Sequence, residues 1–355
     1  MRRLTKRKRI ARFRLCLSAA LLLLPILIAG LYGWGRVAEE IPVVSLLAPA
    51  IDRTYLVIGR DRAGNNTDVM FVARLDGDSN RAAVMQIPRD TYVGDRYGGY
   101  KLNAYYHVCL QAALEEGEAH PTQAALTRMT ADFSDSLGID FDGYVMLDLD
   151  AFCQIVDAVG GVTVEIPCDL SYEDPEQGLC ISLPKGKRHL NGAEAEQFVR
   201  FRSDYIRADL GRVDAQKLFL SALFARLKEG LSPGELLDVG EMVLRHTTTS
   251  VTVSDLPLLA VNGLRLELSS VYFFTAPGEV TANGRYYVLN AEGMTRCLNA
   301  FYTVTGPFDP DLRFRGFNSG EIRALYAAPY REELFPYTAE ELIRNGIDIA
   351  TRHPH

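Results

Sequence analysis

An α/β fold, built as a three-layer helix-sheet-helix sandwich with a central mixed sheet and preceded by one transmembrane helix, is the architecture this sequence predicts. Three observations predict it. An uncharged run extends from Leu15 to Gly35, short apolar strand patterns alternate with longer helical ones from residue 53 onward, and charged clusters sit at the ends of those strands. One sheet with helices on both faces would gather such clusters at a common edge.

The chain opens on Arg2, Arg3, Lys6, Arg7, Lys8, Arg9, Arg12 and Arg14, with no acidic residue among the first fourteen. The run that follows, LCLSAALLLLPILIAGLYGWG, suits one membrane crossing, because about twenty helical residues span a hydrocarbon core of about 30 Å. The basic flank then stays in the cytoplasm and everything after Arg36 lies outside, with Tyr32 and Trp34 at the outer interface. A secretory signal peptide is the rival reading; its apolar region is shorter and ends in a small-residue cleavage site, whereas this run continues into VAEEIPVV. The predicted organisation is a cytoplasmic basic tip over 1–14, an anchor over 15–35, a linker over 36–52, one large exterior domain over 53–305 and a C-terminal extension of unassigned role over 306–355.

Net charge is −7, and without the eight basic residues of the tip the remainder sums to −15. An exterior domain so acidic does not hold nucleic acid or another polyanion by its general field, so a phosphate site must be a local concentration of arginine. Six cysteines and six histidines show no metal-ligand spacing. A Cys168–Cys180 bridge and a fully reduced chain both fit.

TYLVIG, from Thr54 to Gly59, reads as a buried strand. VMFVARL (69–75) and AAVMQI (82–87) flank the turn signal DGDSN and read as a hairpin stopped by Pro88. Helical patterns follow near Ala104–Glu116 and Thr122–Ser136. FDGYVMLDLDAFCQIVDAVGGVTVEIP then reads as strand, helix and strand, a βαβ-like unit with Gly160 and Gly161 at the turn. Charged and turn-forming residues from Cys168 to Gly178 read as a loop. The next helix, Arg212 to Glu229, turns apolar residues at 213, 220, 223, 224 and 227 to a core. VYFFTAPGEV and RYYVL read as strands, and Thr338 to Glu341 as the capping box of a last helix.

Four segments offer chemistry. VRFRSDYIRADLGRVDAQK, residues 199–217, crowds Arg200, Arg202, Arg207 and Arg212 beside Asp204 and Asp209. Two residues apart share a face in a strand and four apart in a helix, so Arg200 with Arg202, and Arg212 with Gln216, could converge on one anion. Guanidinium binds phosphate in a bidentate fork; the same residues also suit a solvated, mutually neutralised face. In GRDRAGNNTD, Asp61 follows one strand and Asp68 precedes the next, so both carboxylates reach one sheet edge. They suit a hard cation such as Mg²⁺ that takes its other ligands from phosphate and water, or an Asx-type turn. IPRDTYV places Arg89 and Asp90 just after a strand, and GYKLNAYY places Lys101 and Asn103 at a loop entering a helix.

Taken in order, NTDVMFVARLD, QIPRDTYV, YKLNAYY, FDGYVMLDLDAFCQIVDAVGGVTVEIP, LPKGKRHLNGAEAEQFVRFR and DLGRVDAQK resemble the LytR-CpsA-Psr family of extracytoplasmic phosphotransferases, from about Arg53 to Gly230 and more loosely to Tyr302. The resemblance implies a membrane-anchored enzyme that moves a phospho-glycan (a teichoic acid, capsular or other wall polymer) from a polyprenyl-pyrophosphate donor to peptidoglycan. Mg²⁺, with Mn²⁺ as a substitute, would sit on the pyrophosphate, and a hydrophobic tunnel would hold the polyprenyl chain. By position, Asp61 and Asp68 match the metal-side aspartates, Arg89 the arginine after the hairpin, and Arg200 and Arg202 the arginine pair. Arg212 and Gln216 match the helix-start arginine and glutamine. Asn66, Tyr92 and Val93 stand where relatives carry arginines, and Arg60, Arg62 or Arg96 are the candidates to replace them. Arg207 matches no family position. Asp68 or Asp90 would assist deprotonation of the acceptor hydroxyl. Polyprenyl-pyrophosphate hydrolysis, and a module that only binds lipid-linked glycan, are the alternatives.

Overall fold

The computed structural model describes residues 49–61, 66–94, 101–174, 179–201, 209–231, 233–305, 314, 328–330 and 336–346. The basic tip, the expected anchor over 15–35 and most of the linker lie outside the described residues. Among those described, no helix is long and apolar enough to cross a membrane.

From Ala50 onward the described chain forms one compact unit. Strands β1 (Asp52–Arg60), β2 (Thr67–Asp76) and β3 (Arg81–Gln86) come first, followed by helices α1 (Leu102–Glu115) and α2 (Pro121–Leu137). Then come β4 (Gly143–Asp148), α3 (Leu149–Ala158), β5 (Val162–Ile166), β6 (Leu170–Asp174), β7 (Leu179–Leu183), β8 (Gly186–Leu190) and α4 (Gly192–Arg200). Helices α5 (Asp209–Gly230) and α6 (Pro233–His246), β9 (Thr248–Thr249) and α7 (Leu256–Arg265) follow. The described chain closes with β10 (Val271–Thr275), β11 (Gly278–Val280), β12 (Tyr287–Leu289), α8 (Ala291–Thr305), β13 (Tyr337–Thr338) and α9 (Ala339–Asn345).

Seven strands form the central sheet in the order β13-β10-β3-β2-β1-β4-β9. It is mixed: β1–β4 and β3–β10 are parallel, and the remaining pairs antiparallel. Strand alternation divides its side chains between two cores. Leu56, Ile58, Met70, Val72 and Met85 pack with α1, α2 and α8 on one face. Leu75, Val84, Val271 and Phe273 join the core of α4, α5 and α9 on the other. The expected helix-sheet-helix layering is thus present.

The hairpin is where the sequence places it, with β2 and β3 joined through Gly77–Asn80 and Asn80 in the left-handed region. Two expectations are corrected. β4, α3 and β5 do not close a βαβ unit, because β5 pairs with β8 in a separate ribbon. In β5, buried Val162, Val164 and Ile166 alternate with exposed Thr163 and Glu165, so it has one wet face and does not suit a sheet covered on both sides. The segment read as a loop from Cys168 contains β6, paired with β7. Its charges hid the alternation of buried Leu170 and half-buried Tyr172 with exposed Ser171 and Glu173.

Helix α5 is more deeply set than its apolar period suggests. Leu218, Phe219 and Ala222 are buried with Val213, while Leu220, Leu223, Phe224 and Leu227 are half-buried. The five described cysteines, including Cys168 and Cys180, form no disulfide. The last helix is capped as expected: Thr338 accepts from the Glu341 N–H at 3.1 Å and Glu341 accepts from the Thr338 N–H at 2.8 Å.

Candidate active site

β1 and β3 end at the same edge of the sheet, and antiparallel β2 starts there. Asp61 therefore leaves β1 beside the start of β2. Its N–H donates to the Asn66 carbonyl at 2.9 Å and its Oδ2 accepts from Asn66 Nδ2 at 3.1 Å, which closes the short loop. A bulge after Gly59 sets Thr67 opposite Arg60 and brings Asp68 to the edge. Asp68 Oδ1 accepts from Arg89 Nη1 at 2.6 Å, with the two side chains 26% and 20% exposed. Partial burial keeps that pair from the screening of bulk water.

Arg89 sits at the first corner of a turn in which the Pro88 carbonyl accepts from the Thr91 N–H at 3.0 Å and its hydroxyl at 2.6 Å. The same turn caps α1. The Leu102 N–H donates to the Thr91 carbonyl at 2.7 Å and the Asn103 N–H to the Arg89 carbonyl at 3.0 Å, so two of the helix's otherwise orphaned donors are satisfied by this loop. Asn103 returns its carbonyl to the Thr67 hydroxyl at 3.3 Å. Lys101, at the N-cap, reaches Asp90 Oδ1 with its ammonium at 3.0 Å. Two ion pairs, Asp68–Arg89 and Asp90–Lys101, thus stand on adjacent residues of one rim.

Helix α5 adds buried polar groups. Arg212 and Gln216 are each 6% exposed. Gln216 accepts from the Gln86 amide at the end of β3 and donates to the Val199 carbonyl at 3.0 Å. Lys217, 4% exposed, donates to Thr275 Oγ1 at 3.0 Å, pairs with Asp214 at 2.7 Å and lies 5.7 Å from the Tyr337 ring centroid. Gln86 pairs with Thr275 across the β3–β10 ladder, so the helix is pinned at neighbouring strand ends.

Sequence reasoning missed Gln86 and Lys217. Gln86 was legible as the one amide ending an apolar strand before proline, and Lys217 as the residue adjoining Gln216.

Arg200 is the last residue of α4 and not part of a strand, so no strand spacing sets its direction. It pairs with Glu196 one turn back at 2.8 Å, and the Cys153 thiol contacts the same carboxylate at 3.6 Å. Its helix end still abuts the site, because Val199 is the acceptor of Gln216. Arg202 and Arg207 lie outside the described residues, as do Arg62 and Arg96. Arg60 pairs with Asp148 at the end of β4, 3.5 Å away.

Beside this polar rim the sheet presents an apolar stretch. Val145, Val57 and Phe71 lie in register on β4, β1 and β2, and the row continues into Gln86. These three apolar side chains, with Val69, Ala73 and Leu147, are half-buried and belong to neither core. They face the side of the sheet that carries α5.

Residues 49–301 match the model of the LytR_cpsA_psr family. The chain belongs to that family. Among its relatives, the cell wall biosynthesis protein LcpA of Corynebacterium glutamicum is 31% identical over 55% of this chain and 39% of its own length. The polyisoprenyl-teichoic acid–peptidoglycan teichoic acid transferase TagV of Bacillus subtilis is 30% identical over 53% of this chain and 46% of its own. The chain thus spans less than half the length of either relative. The crystal structure of B. subtilis TagV shares the fold, with a TM-score of 0.52 at 23% identity over 72% of this chain and 97% of that one. The family match ends before β13 and α9, which nevertheless complete the sheet and a core here.

Proposed function

We propose that this protein is a membrane-anchored phosphotransferase that moves a phospho-glycan from a polyprenyl-pyrophosphate carrier to peptidoglycan. The observation that carries the reading is the proximity of two surfaces: the half-buried apolar row Val145, Val57 and Phe71 continues into Gln86 at the end of β3, and the ion pairs Asp68–Arg89 and Asp90–Lys101 stand at the sheet edge where β3 ends. A lipid chain with a pyrophosphate head has that division of chemistry. Family membership and the teichoic acid transferase activity for which the relative TagV is named point the same way. In this reading residues 15–35 are the anchor and the domain faces the outside of the cell.

Arg89 and Arg212 bind and orient the pyrophosphate oxygens, with Arg200, at the end of α4, and Arg202 as further anion-binding groups. Gln216 fixes α5 against the sheet, and Lys101 and Asn103 hold the loop that carries Arg89. The acceptor hydroxyl attacks the glycan-side phosphorus. A new P–O bond forms, the bridging P–O bond breaks, and polyprenyl phosphate leaves with the bridging oxygen. The hydroxyl proton passes to Asp68 or Asp90. Arginines held in place before reaction stabilise the charge that develops on the transferred and leaving groups.

The residues present fit a hard cation. Asp61 and Asp68 flank one loop at the rim and offer two carboxylates to such an ion. Two carboxylates with phosphate oxygens and water suit Mg²⁺, or Mn²⁺ in its place. When bound, the ion would neutralise pyrophosphate charge.

The test uses the full chain in detergent with a synthetic undecaprenyl-pyrophosphoryl glycan, labelled in the sugar, and peptidoglycan oligomers. Label joined to peptidoglycan, undecaprenyl phosphate released and loss of both on chelation are expected. Release of free glycan phosphate alone would assign hydrolysis, and donor binding without turnover would assign a binding module.

A further inference from the structure

We infer that the β11–β12 hairpin carries a subsite for the glycan of the donor, an anionic sugar polymer, in which Tyr286 stacks on a sugar ring and Arg285 pairs with a phosphate of the polymer. The inference rests on the phosphotransferase reading above and specifies how that enzyme would distinguish its donor.

The hairpin tip is built to hold these two residues still. The Thr281 N–H donates to the Tyr286 carbonyl at 2.8 Å, and the Tyr286 N–H returns a bond to the Thr281 hydroxyl at 3.0 Å. Asn283 Oδ1 accepts from the Thr281 hydroxyl at 2.8 Å and from the Arg285 N–H at 3.0 Å. Gly284, at a φ of +69°, makes the reversal that a side chain would strain, and its N–H donates to the Thr281 carbonyl at 2.8 Å.

The tip is also fastened to the catalytic rim. The Tyr287 N–H donates to the Asp90 carbonyl at 2.9 Å and the Tyr92 N–H to the Tyr287 carbonyl at 2.8 Å. The Tyr287 hydroxyl donates to the Ala276 carbonyl at 2.9 Å. Arg285 is therefore two residues from a backbone bonded directly to Asp90, the neighbour of Arg89.

At that place an aromatic pair supports a guanidinium. Tyr286 meets buried Tyr92 edge to face, with centroids 5.1 Å apart and planes at 71°. The Arg285 guanidinium lies 5.1 Å from the Tyr286 centroid. Arg285 is exposed, and among the described residues no carboxylate lies within ion-pair distance of it. A guanidinium stacked on a ring keeps its N–H edge available for bidentate contact with phosphate. The half-buried tyrosine offers an apolar surface to the C–H face of a pyranose and a hydroxyl to its rim. In a domain of strongly negative sum charge, such a local cation is the means by which an anionic polymer is held.

The experiment compares two donors on the full chain in detergent: undecaprenyl pyrophosphate carrying a phosphate-bearing glycan, and undecaprenyl pyrophosphate alone. Arg285→Ala and Tyr286→Leu should raise KM for the glycan donor about tenfold, the scale of one charge-assisted contact, with kcat held. Arg285→Lys should recover part of the loss, and affinity for bare undecaprenyl pyrophosphate should not change. Equal losses on both donors, or no change on either, overturn the proposal. So does an unchanged KM with weakened binding to phosphatidylglycerol vesicles, which would assign the guanidinium to lipid headgroups. If the wild-type chain does not transfer the glycan of the glycan-bearing donor, the function reading fails separately, and equilibrium binding of that donor to wild type and Arg285→Ala decides the subsite.

Discussion

Gln216 on α5 accepts a hydrogen bond from Gln86 at the end of β3 while its own amide donates to the Val199 carbonyl at 3.0 Å. One side chain thereby ties the helix bearing Arg212 to the sheet and to the end of the helix bearing Arg200. Gln216→Leu leaves the Val199 carbonyl and the Gln86 amide buried without that partner, and each such loss costs about 1–3 kcal/mol. Gln86 Oε1 already has no hydrogen-bond partner, so Gln86→Leu removes one unsatisfied atom as it strands another. Urea unfolding should show Gln216→Leu as clearly the more destabilised; equal losses would dissociate the amide pair from the docking of α5.

Arg89 is held by Asp68 before any substrate arrives. Arg89→Ala should lower transfer by about 10³, the scale of a transition-state arginine, with far-ultraviolet circular dichroism and melting temperature near wild type. Asp68→Asn keeps a hydrogen-bond acceptor and removes the charge, and should fall between the two. Normal turnover in Arg89→Ala would place the chemistry elsewhere.

Lys217 is a buried ammonium whose charge is matched by Asp214, and breaking a buried pair from one side costs about 3–5 kcal/mol. Lys217→Met should approach that loss in urea unfolding. Adding Asp214→Asn should return a substantial part of it, which a simple packing defect would not do.

The C-terminal cap has a pH signature. Hydrogen bonds from the backbone N–H and hydroxyl of Thr338 hold the Glu341 carboxyl below its usual range. A depressed carboxyl contributes stability above its unfolded value and loses it as pH falls through the folded one. Amide protection factors in 339–345, taken against the intrinsic rate at each pH, should therefore fall on acidification below about pH 4.5, and Glu341→Gln should flatten that dependence.

Burial pushes the Cys297 thiol up to about 12 and the Cys109 thiol up to about 11, the latter with a contribution from Asp132. Because these folded values are raised, the stability is complete below the thiol's unfolded value and drains away as pH climbs through the folded ones. Unfolding free energy should decline above about pH 9. At pH 8 iodoacetamide should modify exposed Cys180 quickly, and Cys109 and Cys297 only after unfolding; early labelling of Cys297 would contradict its burial on the face of α8 that packs against Met85 of the sheet.

Much of the fold was legible because period and punctuation agreed. The β2–β3 hairpin carries alternation on both sides of a turn-forming tetrad, and the last helix announces itself through Thr338 and Glu341. Asp68, Arg89, Asp90 and Lys101 were readable because each lies next to a strand or helix end. Their pairing was not, since a spacing of 21 residues from Asp68 to Arg89 becomes a 2.6 Å contact only through the strand register. The β5–β8 ribbon escaped the reading because strand content does not say which sheet a strand joins. Gln86 and Lys217 escaped it because a polar residue in an apolar segment declares its role only when its partner, here Gln216 or Thr275, is brought alongside.

Both borders of the seven-stranded sheet are two-residue strands, Thr248–Thr249 and Tyr337–Thr338. Borders so short offer a passing chain almost no row of unpaired amides and carbonyls to add to, which is how proteins resist edge-to-edge aggregation. In a crowded setting, where copies meet often, such blunted borders favour dispersal over fibrous or sheet-extended association.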